Sequence, residues 1–154
     1  VAAIAKQQGA LVVLNPAPAP TAPLPKELLQ NVDLLIPNET EASAMSGVAV
    51  ETEADIPTAM ERLQTLGIQH IIVTLGSKGA CTCIDGELLL VPSRKVEAVD
   101  TTAAGDTFCG ALCTALLQSK KMPEAMLYGC KAAAVSVMRR GAQMSMPYKD
   151  EVEN

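Results

Sequence analysis

Four short stretches of the chain hold residue types that can do chemistry at a useful spacing. The most informative is Asp100-Thr-Thr-Ala-Ala-Gly-Asp106, where three small residues precede an acid at the start of a long apolar run. Small side chains let the backbone turn sharply and leave the amides of Ala104, Gly105 and Asp106 uncovered at the positive end of a helix, an arrangement suited to an anion such as a phosphate. Asp106 falls in the first turn, where the helix dipole favours a carboxylate, and a carboxylate so placed can act as a general base on a hydroxyl. Acids are favoured in the first turn of any helix, so the same pattern also describes a plain helix start.

Leu75-Gly-Ser-Lys-Gly79 is a glycine-flanked turn that could wrap a nucleotide or simply carry the chain into the next strand. It does not have the P-loop spacing, and the chain contains no G-x-G-x-x-G. In Asn38-Glu-Thr-Glu41 the Asn and the second Glu are three apart, so they share one helix face. A carboxylate there could hold a magnesium-bound water, or the pair could be an N-cap with an acidic first turn. Arg139-Arg140-Gly141 reads as a helix end with favourable cations and a glycine C-cap. The five cysteines, at 81, 83, 109, 113 and 130, form no C-x-x-C pair, and the single histidine, His70, lies far from them, so neither a disulfide framework nor a zinc site is indicated. Cys109 and Cys113 read as small buried thiols in a helix, and free cysteines fit a reducing cytoplasm.

Short apolar runs must carry these loops. Leu11–Leu14, Val32–Ile36 and His70–Leu75 read as strands, the first two as strands buried on both faces. Prolines 16, 18, 20, 23 and 25 make the stretch after Asn15 an ordered loop, with a short helix over Lys26–Asn31. A helix opens at Asn38 and stops at Gly47. Asp55 can cap another whose apolar positions are Ile56, Ala59, Met60, Leu63 and Leu66. Asp85-Gly86 between apolar runs signals a hairpin. Helical patterns follow over residues 105–119 and 123–140, and the closing Asp-Glu-Val-Glu-Asn reads as frayed. Strands alternating with helices at this spacing predict an α/β fold with a largely parallel sheet.

With 154 residues the chain has room for one core-forming domain. Charged residues interrupt every apolar run well before the ~18 residues of a membrane span. A net charge of −5 without a basic cluster, and aromatics at 2%, argue against a nucleic-acid partner. The opening Val1–Gly9 reads as the last turns of a helix, so the chain is expected to begin inside a larger fold.

Taken together, Asn15-Pro-Ala-Pro-Ala19, Pro37-Asn-Glu-Thr-Glu41, Thr74-Leu-Gly-Ser-Lys-Gly79, Asp100-Thr-Thr-Ala-Ala-Gly-Asp-Thr-Phe108 and Arg140-Gly-Ala-Gln143 occur in an order that resembles the carboxyl-terminal half of the ribokinase-like (PfkB-type) carbohydrate kinases. The resemblance implies a three-layer α/β/α fold with a β-hairpin, the amino-terminal half and its small β lid lying outside this stretch. It implies ATP-dependent phosphorylation of a sugar, ribose most closely, at its primary hydroxyl. Asp106 would be the catalytic base, and Ala103, Ala104 and Gly105 the anion hole. Asn38 would lie near the nucleotide phosphates, Glu41 would support Mg2+ through water, and Thr74, Leu75, Gly76, Ser77, Lys78 and Gly79 would border the adenosine, with Cys130 near the adenine. Potassium would lie at Asp100, Thr102, Ser136, Arg139, Gly141 and Ser145, several through backbone carbonyls.

Two positions depart from the wider pattern. Ala103 stands where the family usually has Gly, although Ala is what the ribokinase branch shows. Cys130 stands where His or Asn is common, and a thiol cannot replace their hydrogen bonding in full. The resemblance also implies a cytoplasmic homodimer at full length, with neither nucleic acid nor membrane as partner. A non-catalytic nucleotide-binding domain and a kinase for a related sugar or nucleoside are the alternatives. The first strand is expected to leave an open sheet edge, so the isolated polypeptide should aggregate, dimerise or be poorly stable.

Overall fold

Glycines and prolines mark most of the element boundaries. The computed structural model describes residues 1–153. The chain divides into two compact units, Val1–Leu75 with Cys81–Leu89, and Gly76–Ala80 with the residues from Leu90 onward.

The first unit holds α1 (Ala2–Gln7), β1 (Val13–Leu14), α2 (Lys26–Leu29), β2 (Leu34–Leu35), α3 (Glu39–Ser46), α4 (Ile56–Gln64) and β3 (His70–Thr74). β1 pairs with β2 and β2 with β3, both parallel, in a register that sets Val13 opposite Leu34 and Leu34 opposite His70. β4 (Gly79–Ile84) and β5 (Glu87–Pro92), which fall partly in each unit, complete a sheet of order β1-β2-β3-β4-β5. The turn between them has positive φ at both Asp85 (52°) and Gly86 (82°), the conformation that matches the twist of a two-residue hairpin. The sheet is therefore mixed, three parallel strands followed by a hairpin, because only a tight reversal can join β4 to β5.

The core of this unit is apolar and closely packed: Leu35, Ala42, Leu63 and Ile68 have no exposed surface. Burying a side chain such as Leu63 contributes about 2 kcal/mol before packing terms. Ile56, Ala59, Met60 and Leu63 are buried at helical spacing along α4, as the pattern predicts. Leu66 does not join them; α4 ends at Gln64 and Leu66 is 40% exposed. Asp55 does not cap α4 with its side chain. Its carboxylate accepts from the Thr52 amide (2.8 Å) and hydroxyl (2.9 Å), closing the 3-10 turn that comes before. β1 is shorter than expected and half-buried, with no more than two residues in the ladder. Asp33 ties it down, accepting from the Val12 amide at 2.8 Å and pairing with Lys6, and these bonds hold its carboxyl below the usual range.

The second unit is built on α5 (Ala104–Leu117) and α6 (Met122–Ser136), packed side by side, with α7 (Lys149–Glu153) against α6. Gly129 makes the α5–α6 approach possible. A Cβ there would lie 2.8 Å from the Phe108 ring. α6 stops at Ser136 rather than near Arg140. The Val137 carbonyl is drawn off by the amides of Val99 (2.8 Å) and Asp100 (3.1 Å), which ends the helical ladder, so Gly141 is not its C-cap. The end of the chain is not frayed over its described residues, since α7 forms and Val152 is buried. Cys109 and Cys113 are half-buried rather than buried, because the core face of α5 is taken by Thr107, Phe108, Leu112 and Ala115. Among the described residues no helix is long and apolar enough to cross a membrane.

Candidate active site

In the first unit the candidate residues are the start of α3. Asn38 and Glu41 cap the helix reciprocally. The Glu41 amide donates to Asn38 Oδ1 and the Asn38 amide donates to Glu41 Oε2, both at 2.8 Å. Two amides that a helix start would leave without partners are thereby satisfied. Glu41 is 4% exposed, unusual for a carboxylate. Asn38 also bridges to Thr74, the last residue of β3, and the Thr74 amide donates to the Pro37 carbonyl at 2.9 Å. These two motifs lie far apart along the chain; parallel pairing at the strand ends brings Asn38 and Thr74 together, where ligands sit in α/β sheets.

In the second unit Gly76–Lys78 forms a 3-10 turn into Gly79. Gly79 has φ +114°, and a Cβ there would collide with the Val91 carbonyl oxygen and lie 2.7 Å from the Ser93 nitrogen. No other residue fits, so this glycine serves close backbone approach as well as the turn. The Ser93 amide donates to the Lys78 carbonyl at 3.2 Å. Nothing in the local sequence of the glycine turn points to Val91 or Ser93.

The turn into α5 has an unusual backbone, a non-glycine residue at positive φ, which Ser119 (61°) after α5 shares. Ala103 is the N-cap with φ +60°, a left-handed conformation for a residue that carries a Cβ, and no side chain caps the helix. The conformation costs an alanine about 1 kcal/mol. The Ala103 carbonyl is held by the Thr107 amide (2.9 Å) and hydroxyl (2.8 Å). Of the three amides expected to be uncovered, that of Ala104 is engaged, donating to the Thr101 carbonyl at 3.2 Å, because the turn closes on itself. Gly105 and Asp106 remain exposed in the first turn. Asp106 lines a groove of about 260 Å³ with Thr107, Gly110, Tyr128 and Lys149.

Asp100 fixes the other end of that turn. Its Oδ1 accepts from the Thr102 amide and its Oδ2 from the Gly141 amide, each at 2.9 Å. These bonds, the Gly141 one first, hold the carboxyl at about 2, well below its ordinary value. Together with the Val137 carbonyl they join residues 99–102 to residues 137–141. Ser136 and Ser145 are fully buried, their hydroxyls donating to Ala133 (2.9 Å) and Ala142 (2.7 Å) carbonyls. The Arg139 side chain pairs with Glu151 on α7. Cys130 is buried against a cavity of about 280 Å³ that Val96, Leu127 and Ala134 also line. Burial pushes its thiol up to about 11, so it stays neutral and makes only a weak contact, 3.8 Å, to the Val91 carbonyl. No group of three or more His, Cys, Asp or Glu side chains is arranged for metal binding among the described residues.

Residues 1–149 match the family described as pfkB family carbohydrate kinase, and the chain belongs to that family. It is 45% identical to a ribokinase of Haemophilus influenzae over 150 residues, which are 97% of this chain and 48% of that protein. It is 39% identical to a deoxyribokinase of Salmonella typhi over 142 residues, 92% of this chain and 46% of that one. The structure of Arabidopsis thaliana ribokinase complexed with ribose and ATP superimposes with a TM-score of 0.92 at 37% identity, covering 99% of this chain and 49% of that one. The three-layer α/β fold is therefore shared, and the chain spans about half the length of the relatives it matches.

Proposed function

We propose that this chain is the carboxyl-terminal, nucleotide-binding and catalytic-base portion of a cytoplasmic ATP-dependent kinase that converts ribose to ribose 5-phosphate. The observation that carries the reading is the start of α5: a strained left-handed Ala103, no side-chain cap, and an exposed acid in the first turn. Strain of this kind persists where the surroundings enforce it, and it clusters at functional sites.

In this reading Asp106 takes the proton from the sugar's primary hydroxyl as that oxygen attacks the terminal phosphorus of ATP. The amides of Gly105 and Asp106 face the charge that develops on the transferring group, with Gly105 small enough to let it approach. Such catalysis is mostly positioning and electrostatics. Asn38 sits beside the phosphates, and Thr74 to Gly79 border the adenosine. Cys130 supplies an apolar wall at the base, having no strong hydrogen bond to offer.

The chain's residues fit the two cations expected with this chemistry. Glu41 Oε2 is taken by the Asn38 amide, which leaves Oε1 for a hydrated Mg2+. When bound, that ion would shield the negative charge of the phosphates. For K+, Asp100 keeps an ionised carboxylate and joins the two segments that hold Thr102, Ser136, Arg139, Gly141 and Ser145. Hard oxygen donors, several of them backbone carbonyls, suit such an ion.

The deoxyribokinase similarity favours a second reading, a kinase for the 2-deoxy sugar. ADP release by the full-length protein that carries this sequence, with ATP, Mg2+ and K+, separates the readings. Release that depends on ribose more than on deoxyribose is expected. A preference for deoxyribose would move the assignment to the second reading. ATP binding with no sugar-dependent release would leave a non-catalytic nucleotide-binding domain.

A further inference from the structure

We propose that Glu151 is a positioning residue for the monovalent-cation loop, acting through Arg139. The proposal rests on the reading above, in which residues 100–102 and 136–145 hold K+. After α6 ends at Ser136 the chain runs without regular structure until the short 3-10 turn Gln143–Ser145. On one side this segment is held by the Asp100 loop, through the Val137 carbonyl and the Gly141 amide. Between those two points lies Arg139, whose side chain pairs with Glu151 on α7. Its two terminal nitrogens meet the two carboxylate oxygens of Glu151, Nη1 to Oε2 at 3.3 Å and Nη2 to Oε1.

A fork-to-fork pair fixes orientation as well as distance, which a single contact to a lysine would not. Glu151 is itself held. Its Oε2 also accepts from the Tyr148 amide at 2.8 Å, capping the start of α7, and its neighbour Val152 is buried. The tether thus runs from the packed part of the second unit to the middle of an irregular segment. Holding Arg139 at the side chain narrows the φ and ψ it and Arg140 can adopt, and these angles aim the Arg139 carbonyl. A site preordered in this way does not have to be ordered when the cation binds. Without the tether the competent arrangement is a smaller fraction of the population, and apparent cation affinity falls by that fraction. The pair is about one-third exposed on each side, so its contribution to global stability is small and its effect is local.

The test uses the full-length protein and Glu151→Gln, which keeps an oxygen for the Tyr148 amide and removes the charge and the fork. The half-saturating K+ concentration is read from the K+-dependent rise in Tm, with choline as the inert cation, and by Tl+ NMR titration. It should rise about 3- to 10-fold, while turnover at saturating K+ stays close to that of the unaltered protein. Glu153→Gln removes the same charge from the same helix without touching Arg139, and should leave the midpoint where it was. The charge swap Arg139→Glu with Glu151→Arg should restore it in large part. An unchanged midpoint in Glu151→Gln, or an equal loss of Tm in K+ and choline with no shift in midpoint, would overturn the proposal. So would an equal shift in Glu153→Gln, which would make the effect one of net charge. If the unaltered protein shows no K+ response by either readout, the potassium reading itself fails and the clamp has nothing to position.

Discussion

The two helices that begin at candidate site residues, α3 and α5, start in opposite ways. α3 is closed by its own side chains. Asn38 and Glu41 exchange hydrogen bonds, and the helix ends on a left-handed glycine, Gly47, with φ +72°. α5 has no side-chain cap, begins on an alanine in a glycine conformation, and carries an exposed acid. The first arrangement lowers the free energy of the chain by itself; a good N-cap contributes about 1 kcal/mol. The second raises it by a similar amount. A helix start that forgoes its cap and accepts strain leaves the Gly105 and Asp106 end of the turn exposed, and in the proposed reading that contrast favours α5 as the more reactive of the two.

The contrast can be sharpened by substitution, with Tm and denaturant midpoints as the readout. The largest effect is expected at Gly79→Ala, where positive φ coincides with a backbone oxygen in the space the new Cβ would need; a loss of at least about 3 kcal/mol is expected. Gly47→Ala shares the positive φ but has nothing within 4 Å, so it should cost about 1 kcal/mol. Equal losses at the two would show that the close approach at Gly79 relaxes readily. Asn38→Ala should cost about 1 kcal/mol through the lost cap. Ala103→Gly should do the reverse, stabilising by up to about 1 kcal/mol as the strain is relieved. A loss at Ala103→Gly would mean that the alanine side chain contributes packing that outweighs its backbone cost.

Local signals account well for local structure. Asn38 with Glu41, Gly47, Asp85-Gly86 and the α4 pattern as far as Leu63 are each decided by neighbours within a few residues, and each forms as the pattern predicts. The failures share a different cause. The helical pattern of α6 continues to Arg140, but the helix stops because an amide nearly forty residues earlier takes the Val137 carbonyl. α7 has no comparable local signal, because a single buried residue, Val152, anchors a stretch that is otherwise polar. Asp55 has the position of a cap for α4, yet Thr52 competes for its carboxylate and wins. In the candidate site the turn at Asp100–Asp106 was legible as small residues before an acid. The engagement of Ala104 by Thr101, the bond from Gly141 to Asp100 and the Arg139–Glu151 pair were not, since all depend on how the backbone closes.

The central claim is that Asp106, at the uncapped start of α5, is the base in phosphoryl transfer. Asp106→Asn in the full-length protein keeps the shape and removes the proton acceptor. Turnover on ribose and ATP binding, measured on the same preparation, test it most directly. A fall in turnover of at least about 100-fold is predicted, with ATP affinity essentially unchanged. Turnover close to that of the unaltered protein would contradict the account, and would return Asp106 to the role of an ordinary first-turn acid.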